Sequence, residues 1–121
     1  MTDERTVQAR EQLKAAQRGA WLLRNNSGAF KDARGVQVRY GLGNISKKFN
    51  EKCKSSDLCG IEPVLITADM VGQTIGRALV RECKPEGWKF NPNDPHEVAQ
   101  KRFIDKVNAL GGNAAFTTGE D

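Results

Sequence analysis

The sequence predicts a single α/β domain with its elements in the order α-β-β-β-α-β. Three observations carry that reading. Two segments of good helix formers, residues 3–18 and 95–110, lie near the ends of the chain. Short β-prone runs fill the stretch between them and follow the second one. There are no internal repeats, low-complexity segments or linkers, and 121 residues suffice for one modest core but not for two. The domain therefore covers residues 1–121.

Residues 3–18 (DERTVQAREQLKAAQR) contain neither Gly nor Pro, and Glu4, Gln8 and Glu11 fall on one helix face. Gly19 ends that helix. Residues 20–24 (AWLLR) read as a strand and Asn25 to Gly28 as a turn. Residues 29–56 carry a weaker pattern. Within them 36–40 (VQVRY) alternates like a strand, Gly41-Leu42-Gly43-Asn44 breaks it, and Lys47, Lys48, Lys52 and Lys54 mark a basic, exposed loop. Residues 58–67 (LCGIEPVLIT) and 74–82 (TIGRALVRE) read as paired strands connected through 68–73, with Gly60 and Pro63 weakening the first half. In the last third Asp94 is placed to cap a helix, Pro95 stands at its first position and Glu97 three residues after the cap. Phe103, Ile104, Val107 and Leu110 form its apolar stripe. Gly111-Gly112 stops it, and 113–117 (NAAFT) makes the final strand.

Composition narrows the function classes. Lys and Arg number 19 against 15 Asp and Glu, a net charge of +4. That suits a nucleic-acid partner without demanding one. No signal peptide and no apolar run near 18 residues is present, so the expectation is a soluble, cytoplasmic protein with no membrane partner. Cys53, Cys59 and Cys83 show no CxxC spacing, and the single histidine, His96, is remote from all three. This argues against a zinc site and a disulfide framework and leaves three reduced thiols.

The chemistry is concentrated where 79–88 (LVRECKPEGW) leaves the sheet. Alternation along a strand puts Glu82 and Lys84 on one face and Cys83 on the other. The pair is either a solvated ion pair at a strand end or a metal ligand beside a catalytic lysine. Asp57 opens the preceding strand, and antiparallel pairing through a hairpin would set it beside Glu82 with Lys84 in reach. Two or three carboxylates suit a hard divalent cation such as magnesium. Phosphodiester cleavage needs an activated water and charge relief, which a metal and a lysine together supply.

The chain resembles the VRR-Nuc family, the virus-type replication-repair nucleases of the PD-(D/E)xK superfamily, from about Glu4 to Phe116. Six pieces in order carry the resemblance: Glu4-x-x-Val7-Gln8; Arg24-Asn25-Asn26-Ser27-Gly28; Arg39-Tyr40-Gly41-Leu42-Gly43; Ser55-Ser56-Asp57-Leu58-Cys59-Gly60-Ile61; Glu82-Cys83-Lys84; and Gln100-x-x-Phe103 before Gly111-Gly112. The sequence departs from the pattern at Cys59, where the family has a small or apolar residue, and in a long loop from Gly43 to Lys54. Ser56, rather than the superfamily's proline, precedes Asp57, as is common in this family.

The resemblance implies a restriction-endonuclease-like αβββαβ core, with a central mixed sheet flanked by helices, and a metal-dependent endodeoxyribonuclease. It implies Asp57 and Glu82 as metal-binding carboxylates, the Cys83 carbonyl as a further ligand, Lys84 as the catalytic lysine, Glu4 as the helix-borne acid and Gln100 as an active-site glutamine. Glu11 shares the face of Glu4 and remains the alternative. Mg²⁺ is the implied cofactor, with Mn²⁺ able to substitute and no small-molecule cofactor. Products would carry 5′-phosphate and 3′-hydroxyl ends, released by metal-activated water.

Stand-alone domains of this size are similar to small phage-encoded dimeric enzymes that resolve branched DNA in the bacterial host. The expectation is thus a homodimer acting on Holliday junctions in DNA repair or replication. A monomeric flap nuclease and a non-catalytic DNA-binding module are the alternatives. Arg24 is either a phosphate clamp or a strand-end ion-pair partner. Lys47, Lys48, Lys52 and Lys54 are either DNA contacts or a solvated loop. Trp21, Trp88 and Tyr40 either stack on bases or, the favoured reading, pack. Gln100 shares its helix edge with Ile104 and Val107, which predicts that it faces the sheet, and His96, at the start of that helix, is expected at the surface.

Overall fold

Asp3 caps the first helix of the computed structural model, which describes residues 3–119. Its carboxylate accepts the Thr6 N–H at 2.8 Å, and α1 (Glu4–Gln17) follows. The helix ends on Gly19, whose left-handed φ of 82° lets its N–H and that of Ala20 close back on the Ala16 and Ala15 carbonyls. The elements after it are β1 (Trp21–Arg24), β2 (Gly28–Lys31), β3 (Gln37–Tyr40), α2 (Lys47–Lys52), β4 (Leu58–Ile61), a 3₁₀ turn at Ala68–Met70, β5 (Leu79–Cys83), α3 (Pro95–Ala109) and β6 (Asn113–Thr117). The protein is thus mixed α/β, with three α-helices and three two-stranded sheets, β1–β4, β2–β3 and β5–β6, among the described residues. The chain divides into two compact units, the first ending at Gly60 and the second beginning at Ile61. No helix is long and apolar enough to cross a membrane.

In the first unit α1 packs on β1. Ala15 is buried, and Gln12 donates its side-chain amide to the Leu22 carbonyl at 3.2 Å. Asn25 N–H donates to the Asp57 carbonyl, and Gly60 stands against the Trp21 carbonyl, so β1 and β4 run in opposite directions. β2 and β3 form an antiparallel hairpin with Gly28 opposite Tyr40 and Lys31 opposite Gln37. Asp32 shapes its turn. The Val36 N–H and then the Arg34 side chain hold its carboxyl below the ordinary range. Asn44, buried, ties the far end: its amide donates to the Gly28 and Tyr40 carbonyls, and its oxygen accepts from Arg39.

In the second unit β5 and β6 run parallel, with Val80 opposite Ala114 and Glu82 opposite Phe116. α3 connects them and covers one face, burying Ile104 and Val107 near Ala114. Its start follows the predicted cap. Asp94 accepts the His96 N–H, and Glu97 accepts the Asn91 N–H, bracing the preceding loop rather than the cap itself. Asn108 donates to the Ala114 carbonyl and accepts the Ala114 N–H, so α3 holds β6 like a neighbouring strand.

Three expectations require correction. The hairpin of residues 58–67 with 74–82 does not form. β4 stops at Ile61, where Pro63 lacks an N–H for a ladder, and pairs with β1, whereas β5 pairs with β6. The Asp57–Glu82 proximity argued from that pairing therefore loses its basis. The basic loop at 47–54 is in part a helix: Ser46 accepts the Phe49 N–H and starts α2. The turn read at Asn25 to Gly28 ends where β2 already begins.

Between β4 and β5 the backbone bonds cluster in the turn around Ala68–Met70, and Leu65 and Ile66 are 85% and 71% exposed. Amides of residues 64–66 and 74–76 are accordingly expected to exchange with solvent deuterium at least 100-fold faster than those of Ile104 and Val107, on the order of the gap between frayed segments and a packed core. Hydrogen-exchange mass spectrometry measures this, and protection there equal to that of α3 would mean that the segment is paired.

Candidate active site

β5 alternates exposed and half-buried residues, with Val80, Glu82 and then Lys84 on the half-buried side and Cys83 exposed. Strand geometry alone thus delivers the acid and the base to one face, as the alternation predicts. The ladder continues one residue past β5, where Lys84 N–H donates to the Thr117 carbonyl at 2.8 Å. Lys84 is therefore anchored at its backbone rather than left in the loop that follows.

Gln100 projects from α3 between the two charges. Lys84 Nζ donates to Gln100 Oε1 at 2.7 Å, and Gln100 Nε2 donates to Glu82 Oε1 at 2.7 Å. Only one amide orientation works, because the ammonium has no acceptor and the carboxylate no donor. The bridge orders both groups without exhausting them. Two ammonium hydrogens and the second Glu82 oxygen remain free for another partner. The prediction that Gln100 faces the sheet holds.

An aromatic seat lies beneath the lysine. Its Nζ stands 5.6 Å from the centroid of the Trp88 ring and 5.8 Å from that of Phe116, within cation–π range. Trp88, Phe90 and Phe116 pack together, with the Trp88 and Phe116 centroids 4.8 Å apart. Trp88 belongs to packing, the favoured one of its two sequence readings. The indole N–H is buried with no partner. Sequence reasoning missed this seat, because its parts come from the β5–α3 loop and from β6. The signal available was Gly-Trp-Lys-Phe directly after Glu-Cys-Lys.

The first unit holds the other acidic positions. Asp57 immediately precedes β4, is exposed, and receives no hydrogen bond at its carboxylate among the described residues. Glu4 is exposed in the first turn of α1. Glu11, on the same helix, pairs with Lys14 at 3.6 Å.

Arg24 is exposed at the end of β1. Lys47, Lys48 and Lys52 are exposed on α2, and Lys54 is exposed just beyond it. Lys48 and Lys52, one turn apart, line a shallow depression of about 370 Å³ with Phe49. His96 is exposed, as expected, and the three cysteines are free thiols. A groove of about 630 Å³ in the second unit is lined by Ile61, Val64, Ile66, Ile75, Arg77 and Leu110. None of the expected site residues borders it.

Among the described residues no three His, Cys, Asp or Glu side chains form a ligand cluster. Magnesium is held by one or two carboxylates and keeps several waters. Hard carboxylate oxygens are the donors such an ion takes; among the described residues the second Glu82 oxygen, in the second unit, and the Asp57 carboxylate, in the first, receive no hydrogen bond. Comparison with family models, with curated proteins and with solved structures returns no match.

Proposed function

We propose that the chain is a metal-dependent, structure-selective DNA endonuclease with a restriction-endonuclease-like core, acting as a homodimer on four-way junctions. The observation that carries the reading is the bridge Lys84–Gln100–Glu82, in which an ammonium and a carboxylate are ordered at one strand end with bonding capacity to spare. The carboxylates of Glu82 and Asp57, with Glu4 as the helix-borne acid and the Cys83 carbonyl as the main-chain donor, are the groups offered to Mg²⁺ or Mn²⁺. When bound, such an ion supplies charge relief at the phosphate and lowers the pKa of water.

Lys84 holds positive charge for the scissile phosphate and orients the attacking water through its free ammonium hydrogens. Gln100 fixes the direction of both Lys84 and Glu82. The lysines of α2, with Lys54 and Arg24, supply sequence-independent phosphate contacts. A two-fold pair doubles both site and basic surface.

The test is cleavage of end-labelled synthetic DNAs in Mg²⁺: a four-way junction, a flap, a splayed arm, a linear duplex and a single strand. Paired, symmetric nicks on the junction are expected. Cutting confined to the flap assigns the alternative substrate. Salt-sensitive binding with no cutting in Mg²⁺ or Mn²⁺ overturns the enzymatic reading and leaves a DNA-binding module.

A further inference from the structure

We propose that Asn25 is a positioning residue that sets the Asp57 carboxylate for metal binding. The inference rests on the reading above, in which Asp57 is a ligand.

Asp57 sits in an awkward place for a precise task. It is exposed and belongs to the irregular segment of residues 53–57 between α2 and β4. Among the described residues its side chain takes no bond that would hold it. What holds its backbone is a single residue. Asn25 N–H donates to the Asp57 carbonyl at 2.8 Å. The Asn25 amide nitrogen donates to the Ser56 carbonyl at 2.9 Å and to Ser55 Oγ at 2.7 Å. Two successive carbonyls, those of Ser56 and Asp57, are thereby fixed, and with them the peptide planes on either side of the Asp57 Cα.

The third arm of the same side chain reaches elsewhere. Asn25 Oδ1 accepts the Leu42 N–H at 3.2 Å, in the turn that follows β3. Every polar atom of the amide is used, both hydrogens as donors and the oxygen as acceptor, and a flip would break the bonds to the Ser56 carbonyl and the Leu42 N–H. β1 supplies the fixed base, since Asn25 is the first residue beyond it. An aspartate here would keep the length but lose both donors, and an alanine would lose everything but the main-chain bond. Ligand-orienting contacts of this kind, one bond removed from the metal, commonly change metal affinity 10–100-fold.

The experiment is Mn²⁺ titration calorimetry, paired with the Mg²⁺ concentration giving half-maximal cleavage of the junction. Wild type, Asn25→Ala, Asn25→Gln and Asp57→Ala are compared. For Asn25→Ala we expect metal affinity to fall by about 10-fold or more, with KM for DNA at saturating metal unchanged. Asn25→Gln keeps the amide but displaces it, and an intermediate loss is expected. That variant carries the test if the alanine variant does not fold. Unchanged metal affinity in the folded Asn25 variants, with Asp57→Ala defective, overturns the inference and leaves the nuclease reading standing. Metal affinity unmoved by Asp57→Ala overturns both.

Discussion

Lys84→Ala is expected to lower the Mg²⁺-dependent cleavage rate about 10²–10³-fold, the range for removal of one preorganised electrostatic group, while the protein stays folded. The lysine holds a charge that nothing nearby replaces. Its ammonium lies over Trp88 and Phe116, half-buried, where a charge is screened less than in bulk water. One hydrogen bond fixes its direction, and the main chain behind it is tied to Thr117. The structural loss is small by comparison: a hydrogen bond and a cation–π contact, each about 1 kcal/mol. Glu82→Gln is the companion variant. Gln100 still finds an oxygen at position 82, so the geometry survives, but the carboxylate charge is gone, and a loss of similar size follows. Initial rates on the junction, with melting curves by circular dichroism, give both quantities. Full activity in Lys84→Ala removes the lysine from the chemistry.

Gly60→Ala should be strongly destabilising, by about 3 kcal/mol and roughly 10–20 °C in melting temperature. A Cβ at Gly60 would stand 1.9 Å from the Trp21 carbonyl oxygen and 2.8 Å from the Leu22 Cα. Both obstacles are backbone of β1, which α1 covers, so neither can swing aside as the tip of a side chain would. The strands must separate, and the bond between Asn25 and Asp57 goes with them. Cleavage should therefore fall together with stability. Gly76→Ala is the control, because its Cβ would meet nothing within 4 Å; there a neutral or slightly stabilising effect is expected. A thermal scan showing Gly60→Ala at the wild-type midpoint would mean that β1 and β4 are not paired as described.

Sequence reasoning succeeded where the signal was local. Asp94, Pro95 and Glu97 marked the start of α3, and Ile104 and Val107 its buried side. The alternation of β5 placed Glu82 and Lys84 on one face, and the helix edge shared with Ile104 and Val107 turned Gln100 toward the sheet. It failed where short elements leave little periodicity. Three of the four residues of β2 are exposed, so no alternation marks it. α2 is six residues long, less than two turns, and only its Ser46 cap announces it. Residues 63–67 have the composition of a strand but lie outside the sheets described, because pairing is a long-range event that composition cannot see. The same limit hid Asn25, whose three side-chain bonds reach across 17 to 31 residues of sequence.

The parallel pairing of β5 with β6 carries a consequence for timing. Strands running in the same direction cannot be closed by a tight turn, and Leu79 meets Asn113 only after α3 has carried the chain back. Glu82 and Lys84 are neighbours from the moment the segment is made. The aromatic ring of Phe116 and the carbonyl of Thr117, which seat the lysine, arrive last. On a ribosome, a nascent chain emerging without 113–117 would already carry its charged pair yet have nowhere to hold it. Seating of the lysine thus waits on the strand that follows α3, by the same closure that completes the second unit.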